Sequence, residues 1–282
     1  MIRPSQVATM RGMYDRLQAQ PIATPIVLKW GGGVNSTALA VGLHERGERP
    51  DFVVFSDTGG EKPETYGYLD VFSRWLAGAG FPVLTVLRYE TEAGDKTLEA
   101  WCLRVGQLPS RAFGMSSCAD KWKIRPTEKW ATWEPALRAA RAAGVKPVQL
   151  LGYDAGEAGR RHKITENDRW RFRAPLAEWD WDRDDCKDAI MRAGLPVPPK
   201  SACFYCPSST KKEVLALERN SPSMFARALA LEANGQERAN FLKVKGLGRH
   251  WSWAELVASA TDPVQLSLFP EEPVESCTMC ST

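Results

Sequence analysis

Apolar and polar positions are distributed along the chain in the manner of an α/β protein. Short apolar runs that end in glycine or polar residues predict strands over residues 26–30, 52–56, 81–87 and 147–151. Apolar residues at helical spacing predict helices over residues 36–46, 63–78, 182–194, 211–233 and 253–260. Residues 89–115 show no regular pattern. The strand-helix-strand order at the start favours a parallel sheet, so we predict a Rossmann-like parallel α/β sheet with helices on both faces, followed by a cysteine-bearing helical region.

A glycine-rich loop separates the first predicted strand from the first helix. Its candidate phosphate contacts are Gly31, Gly32, Gly33, Asn35, Ser36 and Thr37. Glycines let backbone N–H groups approach an anion, and a helix N-terminus adds aligned donors and a partial positive charge. Taken by itself, the loop is equally compatible with a turn that only links the strand to the helix.

Polar side chains also follow the ends of the other predicted strands. The candidate ligand contacts there are Ser56, Asp57, Thr58, Arg88, Gly152, Glu157 and Arg160. In open α/β sheets, ligands bind at the carboxyl ends of the strands, so these residues are expected to face the glycine-rich loop across one crevice. Arginine at such a position is a candidate phosphate ligand. This arrangement favours the phosphate-binding interpretation of the loop.

Composition indicates an ordinary globular protein. Of the 282 residues, 44% are hydrophobic and 25% are charged, which argues against a largely disordered chain. A formal net charge of +3 is too small to indicate nucleic-acid binding, so any such site must be a local patch. No apolar run is long enough to span a membrane, and residues 1–6 lack the apolar segment of a signal peptide. We therefore predict a cytoplasmic protein with no membrane partner.

Cysteines carry the clearest chemical signal in the sequence. In a reducing compartment disulfides are rare, so closely spaced pairs indicate metal ligation or redox chemistry. Two of the seven cysteines form the pair Cys203 and Cys206, and two more form the pair Cys277 and Cys280. Free thiols in a turn are the alternative for the first pair. Cys102 has apolar neighbours and is expected to be a buried apolar residue.

One stretch of the chain is locally basic. It contains Lys121, Lys123, Arg125 and Lys129, interleaved with Trp122 and Trp130. By charge alone, a solvated helix face is the simpler interpretation. Basic residues beside aromatic ones can also bind RNA or DNA, and the neighbouring Cys118 favours a site.

Several segments together resemble the phosphoadenosine-phosphosulfate (PAPS) reductase family, within the PP-loop or adenine nucleotide alpha-hydrolase-like superfamily. They are the glycine-rich loop, residues 55–59, residues 117–126 with Lys123-Ile124-Arg125-Pro126, and residues 200–207. The resemblance covers roughly residues 24–210. It implies a Rossmann-like sheet that binds an adenine nucleotide: ATP, PAPS or adenosine 5′-phosphosulfate (APS). Members cleave ATP between its α and β phosphates or reduce an adenylylated sulfate, and some cluster-bearing relatives insert sulfur into tRNA or DNA.

Two positions depart from the PP-loop pattern Ser-Gly-Gly-x-Asp-Ser. Gly31 stands where the pattern has Ser, and Asn35 stands where it has Asp. The missing carboxylate removes a candidate Mg²⁺ partner. Nucleotide binding is therefore better supported than ATP cleavage, and Mg²⁺ is expected only if ATP is the substrate.

The resemblance also implies a metal centre. Cluster-bearing relatives have a Cys-Cys pair well before a Cys-x-x-Cys motif, and Ser117-Cys118 stands in the place of that pair. The implied ligands are Cys118, Cys203 and Cys206, with Cys186 the first choice for a fourth ligand, ahead of Cys102 and then a tail cysteine. The resemblance favours a [4Fe–4S] cluster over zinc, although thiolate ligands suit both metals.

A second resemblance concerns the C-terminal tail. PAPS reductases carry a nucleophilic cysteine there in a Glu-Cys-Gly pattern, and this chain has Glu275-Ser276-Cys277. Cys277 would attack the sulfur of the nucleotide, Cys280 would resolve the S-sulfonate, and a thiol compound would supply electrons. The tail cysteines could equally be incidental or bind metal. Lys123, Arg125 and Arg160 would neutralise anionic groups of the substrate, with Asp57 at the ribose or a metal.

Four regions follow from these interpretations. We predict a helical extension over 1–24, an adenine-nucleotide-binding domain over 25–175, a helical region with the Cys-x-x-Cys site over 176–268 and a flexible tail over 269–282.

Three functions remain open at this point. The first is a PAPS reductase-like enzyme, an oxidoreductase or sulfur transferase. The second is an ATP-dependent enzyme that modifies nucleic acid with sulfur, using the basic stretch to bind RNA or DNA. The third is a non-catalytic nucleotide-binding protein with a structural metal.

Overall fold

Five short strands form one sheet in the computed structural model, which describes residues 23–157, 166–241 and 243–260. The strands are β1 (Ile26–Lys29), β2 (Phe52–Asp57), β3 (Leu84–Arg88), β4 (Val148–Leu150) and β5 (Arg171–Arg173). Their order is β3-β2-β1-β4-β5, and every neighbouring pair is parallel. The predicted Rossmann-like parallel sheet is confirmed.

Helices connect the strands and continue beyond the sheet. They are α1 (Val34–Glu45), α2 (Pro63–Gly78), α3 (Leu98–Val105), α4 (Ser117–Ala119), α5 (Arg125–Trp133), α6 (Pro135–Ala142), α7 (Pro175–Glu178), α8 (Arg183–Arg192), α9 (Lys211–Asn220), α10 (Pro222–Asn234), α11 (Gln236–Phe241) and α12 (Trp253–Ala260). A π-helical turn (Asp120–Ile124) joins α4 to α5, and single 3₁₀ turns span Ser110–Phe113 and Ala155–Glu157.

Helices cover both faces of the sheet, as expected for parallel strands. Leu28 and Phe55 pack on one face with α1, α2 and α8. Val27 and Val54 point to the opposite face, where they pack with α5 and α6. Because both faces of the central strands are buried, β1 and β2 are mostly apolar, and short apolar runs are their sequence signal.

A further hydrophobic core lies among the helices beyond the sheet. It joins Cys102 of α3 and Trp122 of the π-helical turn to residues of α9, α10 and α12. Cys203 and Cys206 belong to the same core, and Cys118 packs against it. The predicted cysteine-bearing helical region is present, although its domain boundaries stay a prediction.

Three secondary-structure predictions differ from the structure. The segment 89–115 contains α3, whose N-cap Thr97 accepts a hydrogen bond from the Ala100 N–H. The single helix expected over 211–233 is two helices, because Pro222 cannot continue a helix and begins a new one. Strand β5 gave no apolar signal because two of its three residues are arginines. The helix expected over 1–24 lies almost wholly outside the described residues.

Within the described ranges, we find no helix that combines the length and apolar character needed to cross a membrane.

Candidate functional site

The carboxyl ends of β1 and β4 meet at the point where the strand order reverses. Strands β2 and β3 lie on one side of β1, and β4 and β5 lie on the other. Connections leave this point in opposite directions and open a crevice, which is where ligands bind in such sheets. The glycine-rich loop follows β1 here, as the sequence predicts.

Ser36 and Thr37 hold the glycine-rich loop closed. The Ser36 hydroxyl accepts a hydrogen bond from the Gly31 N–H at 3.0 Å, and it lies 3.2 Å from the Gly33 carbonyl. The Thr37 hydroxyl donates to the same carbonyl at 2.9 Å and accepts from the indole N–H of Trp30 at 2.9 Å. Both hydroxyls therefore shape the loop.

Two glycines allow other segments to approach the loop closely. Gly32 has a φ of +77°, and a Cβ there would lie 3.1 Å from Thr65 Cγ2. Gly152, after β4, packs on the start of α1, where a Cβ would lie 3.0 Å from the Ser36 backbone nitrogen. The structure thus brings Gly152 beside the loop, as predicted.

Asn35 lies in a cluster of charged side chains. Its Nδ2 donates to Asp154 Oδ2 at 3.0 Å and to Glu157 Oε2 at 3.3 Å. Its Oδ1 accepts from Arg183 Nη1 at 2.6 Å. The amide therefore joins two carboxylates to a guanidinium, a role that the Asp of the PP-loop pattern could not fill.

Asp57 has no free acceptor position for a ribose or a metal. Its Oδ1 accepts from the Gly59 N–H and the Tyr66 hydroxyl, both at 2.8 Å. Its Oδ2 accepts from Arg88 Nε and Nη2, each at 3.0 Å. These four bonds fill the carboxylate. Burial and the bond to Asp57 raise the pKa of Tyr66. Asp57 therefore anchors Arg88, which is the side chain that stays exposed.

Ser56 faces away from the loop. Its hydroxyl lies 3.2 Å from the Thr127 hydroxyl of α5, on the sheet face opposite α1. Alternation along β2 explains this, since Ser56 shares the face of Val54. Ser56 is therefore not placed as a ligand contact.

A pocket lies beside the carboxyl end of β2, and we call it the thiol pocket. Its lining comprises Thr58, Leu98, Pro109, Arg111, Cys118, Ala119, Lys123, Cys203, Tyr205, Cys206 and Pro207. Three of the four predicted metal ligands thus line one pocket, together with the predicted catalytic Lys123. Tyr205 is fully buried, and its hydroxyl has no hydrogen-bond partner among the described residues.

Glu61 connects the thiol pocket to the glycine-rich loop. This fully buried carboxylate lies 3.2 Å from Lys123 Nζ and accepts from the Thr58 hydroxyl at 3.3 Å. The Thr58 hydroxyl lies 3.2 Å from Cys203 Sγ. On its other side Glu61 lies 3.5 Å from the Ser201 hydroxyl, which donates to the Gly31 carbonyl at 2.6 Å.

Sequence reasoning missed the pairing of Glu61 with Lys123 and the contact of Ser201 with the loop. Both contacts join segments far apart in the chain, and no local pattern announces them. Lys29, at the end of β1, is a further missed residue. Burial lowers its pKa to about 8, with Lys123 adding to the effect and Glu128 opposing it. Its signal was a lysine within an otherwise apolar run.

Cys186, the first choice for a fourth ligand, is not near the other three. It lies in α8, fully buried among the apolar residues that pack against α1 and the sheet. Burial raises its pKa to about 12, so its thiol stays protonated at neutral pH. Cys102, the second choice, lies in the same core as Cys203 and Cys206. Burial also raises the pKa of Cys102, to which Cys118 contributes.

No ready-made metal site is present in the described part of the chain. Within residues 23–157, 166–241 and 243–260, no three His, Cys, Asp or Glu side chains are grouped so that they could hold a metal ion. The thiol pocket nevertheless provides three cysteines and an unpartnered Tyr205 hydroxyl.

A second cavity also touches Cys118, and we call it the indole cavity. Trp101, Ser110, Ser117, Cys118, Asp120, Lys121, Trp122 and Arg125 line it. Arg125, predicted to act beside Lys123, therefore lines this cavity instead of the thiol pocket. Arg160, Cys277 and Cys280 lie outside the described residues, so their predicted roles stay predictions.

Comparisons with known proteins concern the fold alone. No protein-family model and no curated protein matches the sequence. Among solved structures, this chain is similar to a phosphoadenylyl-sulfate (PAPS) reductase from Candida auris, determined as a phosphate complex. The two share 16% sequence identity with a TM-score of 0.41, and the match covers 70% of this chain and 90% of that chain.

Proposed function

We propose that this protein is an enzyme that binds an adenine nucleotide at the carboxyl edge of the sheet and carries out sulfur chemistry at the thiol pocket. Reduction of a sulfonucleotide such as PAPS or APS is the reaction we favour. The observation that carries this proposal is the series of polar contacts from Gly31 through Ser201, Glu61 and Thr58 to Cys203. This series links the glycine-rich loop to a thiol, and it supports the proposal of a single site.

The chemistry of the pocket supports a sulfonucleotide. Lys123 and Arg111 line it beside the thiols, and cationic side chains stabilise the anionic oxygens of a phosphosulfate. Glu61 fixes the Lys123 ammonium, and Thr58 places a hydroxyl against Cys203. A nucleotide whose phosphates rest on the glycine-rich loop would extend its sulfur end toward these groups.

A cysteine-ligated [4Fe–4S] cluster, or zinc, is part of the proposal. Cys118, Cys203 and Cys206 would hold it, and Cys102 of the same core is better placed than Cys186 for a fourth ligand. A bound [4Fe–4S] cluster would supply a redox-active group beside the substrate, whereas bound zinc would add no redox chemistry. Iron, sulfide and zinc analysis of anaerobically purified protein tests this point, with Cys102→Ala expected to lower the metal content and Cys186→Ala to leave it unchanged.

The function itself is tested by its products. The anaerobic protein is incubated with PAPS, APS or ATP, and with dithiothreitol as the thiol electron donor. Sulfite release from PAPS or APS is the expected result, and Cys203→Ser is expected to abolish it because this thiol stands at the end of the polar series. The matched control, Cys186→Ala, changes a buried cysteine of a different core and is expected to retain activity.

Other products would overturn this assignment. Pyrophosphate release from ATP would indicate the nucleic-acid sulfur-transfer alternative. Mg²⁺ would then be a cofactor of the ATP reaction. Nucleotide binding without either product would indicate a non-catalytic binding protein. Normal sulfite release by Cys277→Ser would show that the proposed nucleophilic role of the tail is wrong.

A further inference from the structure

A buried donor without an acceptor lies in a residue that borders the indole cavity. Trp122 is fully buried, lines this cavity, and its indole N–H has no hydrogen-bond partner among the described residues. Buried N–H groups in folded proteins are normally hydrogen-bonded, so each exception calls for an explanation. An acceptor that enters the cavity would provide one.

The charges around this donor favour an anion. Lys121 and Arg125 both line the cavity, and the Lys121 ammonium stands 4.2 Å from the centre of the Trp101 ring. Asp120 is the one carboxylate in the lining. It lies 3.4 Å from Arg125 Nε, and both side chains are more than half exposed. Two cations against one carboxylate leave the cavity with net positive charge.

Hydroxyl groups add further donors. Ser110 is buried, and its Oγ accepts a hydrogen bond from the Cys118 N–H at 2.7 Å, which leaves its own proton to be donated. Ser117 also lines the cavity and is exposed. Ammonium, guanidinium and hydroxyl groups thus line one space, and the buried indole of Trp122 borders it.

The π-helical turn explains how a single short segment serves two cavities. Lys123 lines the thiol pocket, whereas Lys121, Trp122 and Arg125 line the indole cavity. A π-helical turn changes the direction of successive side chains relative to an α-helix, and such turns are frequent at functional sites.

We propose that the indole cavity binds a phosphate group, supplied by a mononucleotide or by a nucleic-acid strand. A tetrahedral oxyanion accepts several hydrogen bonds at once, and it suits a lining in which donors outnumber acceptors. The cavity is lined by other residues than the glycine-rich loop, so this site does not rest on the proposed function.

The test compares two phosphate sources on the full chain. Thymidine 3′,5′-bisphosphate, which lacks the adenine of the proposed substrate, is titrated calorimetrically, and a fluorescein-labelled ten-nucleotide oligothymidylate is followed by fluorescence anisotropy. In the double variant Lys121→Met/Arg125→Gln, we expect the affinity for at least one probe to fall by about tenfold or more. If the oligonucleotide is the ligand, the slope of log affinity against log salt should also fall by about 1 to 2, since two phosphate contacts are lost.

A second variant tests the buried donor. Trp122→Phe keeps an aromatic ring and removes the N–H, so we expect it to lower the affinity for the same probe by about threefold to tenfold. The matched control is Arg138→Gln, which removes an exposed cation from α6 and is expected to change neither affinity more than twofold. Circular dichroism verifies that all three variants are folded.

The outcomes separate the two sources and can overturn the proposal. If the double variant loses affinity for the oligonucleotide alone, the ligand is a nucleic-acid phosphate. If it loses affinity for the bisphosphate alone, the ligand is a mononucleotide phosphate. Wild-type affinity of the double variant for both probes would overturn the site. An equal loss in Arg138→Gln would overturn it too, because general charge would then explain the binding. Sulfite release is measured separately, so failure here leaves the proposed function untouched.

Discussion

Asn35 shows how one substitution changes a known pattern. In the PP-loop pattern this position is Asp, which would place a third carboxylate against Asp154 and Glu157. The amide instead donates to both carboxylates while it accepts from Arg183. The departure in the sequence therefore has a local electrostatic reason.

Restoring the pattern is expected to destabilise the protein. Asn35→Asp loses two donated hydrogen bonds and adds a like charge in a buried cluster, although Arg183 offsets part of the repulsion. We expect the free energy of unfolding to fall by about 1–2 kcal/mol in EDTA. Millimolar Mg²⁺ should recover part of this loss, since three carboxylates form a hard oxygen site. Urea unfolding with and without Mg²⁺ measures both effects.

Asn35→Ala is the control for this prediction, because it removes the donor without adding charge. Its stability should be independent of Mg²⁺. An Asn35→Asp protein as stable as the wild type in EDTA would show that the two carboxylates do not constrain this position.

At the scale of elements, the sequence predicted what depends on local pattern. The glycine-rich loop, β1, β2 and α2 lie where the apolar runs, glycines and Pro63 placed them. The described candidate site residues lie at the strand ends where the sequence placed them, and their roles stay predictions, whereas their contact partners could not be predicted. Ser56 and Asp57 turn to different faces of the sheet, so Ser56 contacts the Thr127 hydroxyl and Asp57 accepts from the Gly59 N–H.

Strand β1 carries one buried charge at its end, and this charge should make stability depend on pH. Burial lowers the pKa of Lys29 to about 8, so between about pH 8 and 10 the unfolded chain binds more protons than the folded one. Wild-type stability should therefore rise with pH in this window. Lys29→Met should be more stable than wild type by up to about 3 kcal/mol at neutral pH.

The difference between Lys29→Met and wild type should shrink by about half near pH 9.5, because wild-type Lys29 is then largely neutral. Urea unfolding at both pH values measures it. The exposed Lys129→Met is the control and should show no such change. A constant difference across the window would mean that packing, and not charge, determines the effect.

At the scale of the whole molecule, an ion pair between Glu61 and Lys123 links the sheet to the helical core. Glu61 follows β2, whereas Lys123 belongs to the π-helical turn that carries Trp122 into the helical core. The backbone of Glu61 also forms an isolated antiparallel β-bridge with the backbone of Cys203. Lys123 was predicted as a site residue, but its pairing with Glu61 was not, because a glutamate in a loop and a lysine in a basic stretch are ordinarily solvated.

A double-mutant cycle across this pair tests whether it joins the two cores. Glu61→Ala leaves the buried Lys123 ammonium without its carboxylate, which should lower the free energy of unfolding by about 3–5 kcal/mol. Adding Lys123→Met removes the buried charge that Glu61 no longer neutralises, so the double variant should recover at least half of that loss. Urea unfolding of the four proteins gives the coupling energy. If the two losses simply add, Lys123 is not held by Glu61, and the polar series between the glycine-rich loop and the thiol pocket does not act as one unit.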